Sequence, residues 1–101
     1  MFAQPITDKA RIEEVLRDCM LNPKKQSPEF IPEIRVAAGA QWGTRTVGQG
    51  GLIIEGARPM GLVTHCDTGE KVFSLTNSDS GYTRLIGQVK LSEIVSISLL
   101  Q

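Results

Sequence analysis

The apolar residues of this chain change their period once, and that change limits the fold more than any other feature. Ile12, Val15, Leu16, Cys19 and Met20 recur at i, i+3, i+4, i+7 and i+8, one stripe of a 3.6-residue repeat. Thr7 or Asp8 can cap the first turn, and Asn22 ahead of Pro23 ends the helix because proline disfavours the α region in the residue before it. A helix over residues 7–22 follows. Glu13 and Arg17 add an i,i+4 ion pair on its wet face. From Glu33 onward the repeat is two. Ile34, Val36 and Ala38 alternate with Glu33, Arg35 and Ala37, as a half-buried strand does.

Between these halves, residues 23–32 hold Pro23, Pro28 and Pro32, an extended connector that pairs poorly. It is not a domain boundary, since one helix cannot bury its own stripe. The chain of 101 residues is expected to be a single domain. Beyond the first strand, a glycine-rich stretch over residues 39–51 reads as a long loop or a frayed hairpin. Strands are expected over 52–55, 60–66, 70–76, 82–90 and 95–99. Turns are expected at 56–59, at Asp67-Thr68-Gly69 and over 77–81, a bend at Gly87, and one helical turn over 91–94. The expected fold is α+β: one amphipathic helix on a small antiparallel sheet or open barrel of about five to six strands. That layout is similar to small SH3-like and Sm-like barrels, although no motif ties the chain to a family.

Composition narrows the function. Eleven basic residues balance eleven acidic ones, so there is no polycationic footprint for nucleic acid. No apolar run approaches the roughly 20 residues that span a bilayer, and no membrane role is expected. The N-terminus, with Asp8, Glu13 and Glu14, lacks the apolar core of a secretory leader. Only Cys19, Cys66 and His65 could serve as soft metal ligands, too few for a structural zinc site. A reducing cytoplasm, two thiols, no metal and no cofactor are expected.

Three motifs invite chemistry. His65 and Cys66 are adjacent, but neighbours on a strand point to opposite faces and could not share a proton. Both thiols are expected in the core. Gly48-Gln49-Gly50-Gly51 resembles a phosphate loop, yet it opens the apolar run Leu52-Ile53-Ile54 rather than a helix whose free amides would hold the anion. The acidic residues form no evident acid–base pair. The chain is therefore read as no enzyme, with a cysteine-dependent activity as the remote alternative.

The remaining group is Trp42, Arg45, Arg58, Tyr82 and Arg84. The only tryptophan lies in a polar, glycine-flanked segment with Arg45 three residues on. Tyr82 and Arg84 share one face of a strand. Aromatic residues beside arginines make hot spots at protein interfaces and stacking platforms for single-stranded nucleic acid. The plain alternative is a tryptophan covering a barrel mouth, with the arginines as ordinary solvated surface. The expected function is a non-catalytic binding module with a regulatory or adaptor role, a protein being favoured as partner over single-stranded nucleic acid, which stays open. A self-associating assembly component is the alternative, because Val95-Ser96-Ile97-Ser98-Leu99-Leu100 carries no charge and as an edge would invite strand addition into a homo-oligomer.

Overall fold

The computed structural model describes residues 4–22, 31–42, 44–77 and 84–100. One helix, α1 (Lys9–Leu21), precedes eight strands: β1 (Ile31–Val36), β2 (Gln41–Trp42), β3 (Arg45–Thr46), β4 (Leu52–Glu55), β5 (Arg58–Thr64), β6 (Lys71–Asn77), β7 (Arg84–Lys90) and β8 (Ile94–Leu100). They form antiparallel sheets in the orders β4-β1-β8, β2-β3 and β5-β6-β7. The fold is α+β, and the sheets do not close into a barrel. No helix among the described residues is long and apolar enough to cross a membrane.

The helix forms for the reasons its sequence supplies. The Asp8 carboxylate, rather than Thr7, caps it by accepting from the Arg11 amide at 3.0 Å. Asn22, extended at φ −98° and ψ 111°, ends it as a residue before proline should. The stripe Ile12, Val15, Leu16 and Cys19 is buried against β5, β8 and the 3-10 turn over Leu91–Glu93. Two basic side chains pin the helix down. Lys9 donates to the carbonyls of Ser92 and Ile94. Lys71 of β6 donates to Glu13 Oε1 at 2.6 Å, while Arg17 holds Oε2 at 2.8 Å. These bonds, from Lys71 first and then Arg17, hold the Glu13 carboxyl below its ordinary value of 4.5, against an opposing push from burial.

In the first sheet, Ile34 of β1 stands between Ile54 of β4 and Ile97 of β8, and all three are buried. β1 starts at Ile31, two residues inside the stretch expected to be connector. Pro32 is tolerated in this central strand because β4 pairing begins only at Glu33, so it faces β8 alone. Ile6 makes a two-way bridge to Ile97, with N···O distances of 2.8 and 3.0 Å. The uncharged last strand therefore has backbone partners on both sides at its centre.

In the second large sheet, Leu62, Phe73 and Val89 form one inward rung across β5, β6 and β7. Register shifts leave Met60 of β5 and Ile86 of β7 as extra residues, both beside Leu75 of β6. The bend expected at Gly87 is thus a bulge immediately ahead of it. Two other expectations need correcting. β5 runs over 58–64 rather than 60–66, so Cys66 falls in the hairpin loop and is exposed, not a core thiol. Among the described residues the strands number eight rather than five or six, because residues 39–51 contain the ribbon β2–β3, whose two-residue strands are too short to carry a period.

One apolar cluster joins the helix to all of this. It includes Ala40 and Val47, which flank the ribbon and bury it against the body.

Candidate functional site: the Trp42–Arg45 ribbon

The ribbon is a short ladder. Gly39 N donates to Val47 O at 2.8 Å, and Val47 N to Ala40 O at 2.8 Å. Gln41 then pairs with Thr46, and Trp42 with Arg45. Their side chains add a bond, Gln41 Nε2 to Thr46 Oγ1 at 3.0 Å. Beyond Val47 the chain turns back through Gly51 N to Gly48 O at 3.1 Å and enters β4. Gly51 is required there. Its φ is +77°, and a Cβ would stand 2.5 Å from the Val36 carbonyl oxygen at the end of β1. The glycine-rich segment is therefore a backbone turn joined to a strand, with no helix N-terminus behind it.

Trp42 is fixed from outside the ribbon. A Cβ on Gly87 would lie 2.6 Å from Cη2 and 2.8 Å from both Cζ2 and Cζ3 of the indole. The six-membered ring thus rests on bare β7 backbone, a seat only glycine provides. Trp42 is half-buried there and packs on the apolar cluster. It covers no barrel mouth, because the sheets do not close; the ring rests on the face of β7 instead. A second tie, Gln41 N to Glu93 Oε2 at 3.2 Å, holds the adjacent residue to the 3-10 turn.

Trp42, Arg45, Thr46, Val47, Gly48, Gly51 and Leu52 line a recess of about 110 Å³. Its walls are apolar at Trp42, Val47 and Leu52. Its one ionic group is the Arg45 guanidinium, exposed and in no ion pair among the described residues.

The five residues singled out from sequence divide. Trp42 and Arg45 are cross-strand partners on one recess. Arg84 lies on β7 opposite Asn77, on the strand that also provides Gly87. Arg58 is on β5, at the other edge of that sheet, about 10 Å from β7 at two strand spacings, and its carbonyl accepts from Thr76 Oγ1 at 3.3 Å. Tyr82 lies outside the described residues. The contributions of Gly87 and Gly51, and the walls at Val47 and Leu52, were not legible beforehand. A tryptophan in a polar, glycine-flanked stretch does signal that something elsewhere must seat it, but not what.

The other chemistry-bearing groups are dispersed. His65 closes the β5–β6 hairpin through its backbone, donating to Glu70 O at 2.9 Å and accepting from Gly69 N at 2.7 Å. His65 also borders a wider, open recess of about 420 Å³, with Gln41 of the ribbon and Gln88 and Lys90 of β7. Cys66 is exposed in that hairpin loop, and Cys19 is buried on the helix. No group of three or more metal-ligating side chains occurs among the described residues. Comparison with family models, with curated proteins and with solved structures returns no match, so the site rests on its own geometry.

Proposed function

We propose that this protein is a non-catalytic binding module that engages a protein partner through the ribbon, with Trp42 and Arg45 at the centre of the contact. The observation that carries the reading is their cross-strand pairing on one recess, with the indole immobilised on Gly87. An anchor already held in place loses little side-chain freedom on binding, which is the usual advantage of a preorganised hot spot. A protein partner is favoured over nucleic acid because the chain has no cationic excess, 11 basic against 11 acidic residues, to release counterions from phosphates. Arg84 shares β7 with the indole seat, and Arg58 on the far edge is not part of the site.

The test is a photo-crosslinking residue placed at Thr44 and, as control, at Glu55. The cross-linked partner is then purified and its affinity measured. Trp42→Ala and Arg45→Ala should each weaken that affinity by about tenfold or more. A partner that cross-links at Thr44 yet binds both variants as tightly as the parent rules the ribbon out as the contact.

A further inference from the structure

We infer that the Trp42–Arg45 recess receives the carboxylate side chain of an acidic segment on the partner, and that Gly87 is the positioning residue for this recognition; the inference rests on the binding-module reading above. The first argument is charge. Arg45 presents up to five N–H donors in a planar fork suited to a carboxylate. Its exposed guanidinium has no ion pair among the described residues, whereas Arg11, Arg17 and Lys71 each have one. No Asp or Glu lines the recess to compete for it. The second argument is size and lining. A recess of about 110 Å³ is large enough to admit one side chain. Trp42, Val47 and Leu52 flank an open and otherwise polar lining, so a carboxylate entering the recess would meet the Arg45 fork beside the indole.

The third argument concerns Gly87. The indole is a wall of the recess and its position is set by contact with bare β7 backbone. A methyl group at residue 87 must push the ring away, and with it the strand that pairs with Arg45.

Two terminally blocked peptides test this on the full chain: Leu-Leu-Glu-Leu-Leu and its isostere with glutamine in place of glutamate, each titrated against the emission of the sole tryptophan. The glutamate peptide should bind about tenfold more tightly, the ratio expected for one charge-assisted pair. Arg45→Gln should abolish the preference and Arg45→Lys should keep part of it. Gly87→Ala should weaken the glutamate peptide and change tryptophan quenching by acrylamide with the far-ultraviolet dichroism unchanged. If that variant does not fold, Trp42→Leu with Gly87→Ala should restore folding, since the smaller side chain leaves room; failure to restore it overturns the role of Gly87. Equal affinity for the two peptides, binding of neither, or a preference that survives Arg45→Gln overturns the carboxylate assignment. So does a short oligothymidylate that displaces the glutamate peptide and binds more tightly. The cross-linked partner's sensitivity to Trp42→Ala is read separately, so charge indifference of the peptides removes the acidic assignment and leaves the ribbon contact standing.

Discussion

The helix α1 and the ribbon β2–β3 are held by opposite means. The helix is built mainly from near neighbours: an aspartate caps it by accepting from an amide three residues on, the Arg11–Glu14 and Glu13–Arg17 pairs fall at i+3 and i+4 while Lys71 of β6 adds a distant one, and its apolar stripe repeats within two turns. The ribbon has only two residues per strand, and its position depends on residues far away in the chain, with Trp42 on Gly87 and Gln41 on Glu93. A local pattern makes an element, whereas a distant seat places one. The placed element is the one that carries the candidate site.

Perturbations of each region should separate these two kinds of support. Leu16 is fully buried on the helix stripe, so Leu16→Ala should cost about 2–5 kcal/mol in urea unfolding, the largest effect here. A loss below about 1 kcal/mol would mean that the stripe is not the centre of the core. At the ribbon exit, Gly51→Ala should cost about 1–3 kcal/mol, because it adds a clash with the Val36 carbonyl to an unfavourable φ of +77°. Gly50→Ala, at φ +91° with open space around it, should lose only the backbone part, about 1 kcal/mol, so the difference isolates the packing of the ribbon turn on β1. Equal losses would mean that no such contact exists. Asp8→Ala removes the helix cap and should cost about 1 kcal/mol with Trp42 emission unchanged, if the helix end and the ribbon are independent.

The smallest effect is a pH dependence. Because the folded state lowers the Glu13 pKa below 4.5, its stabilisation is present above that value and is lost as pH falls through the folded value. Glu13→Gln should therefore be less stable than the parent near neutral pH, by under about 1 kcal/mol, and the two should converge in acid. Urea midpoints at about pH 7 and about pH 3 measure this. A gap that widens in acid would contradict the Lys71 and Arg17 contacts.

What could be read in advance follows the same division. The stripe from Ile12 to Met20, the Asp8 cap, the stop at Asn22 and the strand over 52–55 all rest on chemistry within a few residues. So do the turn at Asp67-Thr68-Gly69 and the helical turn after Lys90. Errors arose where long-range pairing decided the matter. Pro32 reads as a breaker unless β4 is known to stop short of it, and Cys66 reads as core unless β5 is known to end at Thr64. Of the site, Trp42 and Arg45 stood out by residue type and spacing. Arg58 stood out for the same reasons, and the sheet order then placed it on the opposite edge.

The amino-acid order alone determined that one amphipathic helix precedes a set of antiparallel strands, because periodicity and capping depend on residues near in sequence. Tertiary structure alone decided that an indole would lie on Gly87 and that Gln41 would be tied to Glu93. It also decided that Ile6 would bridge the last strand. Those contacts join residues more than 40 positions apart, and only the closed core brings such residues within van der Waals or hydrogen-bond reach.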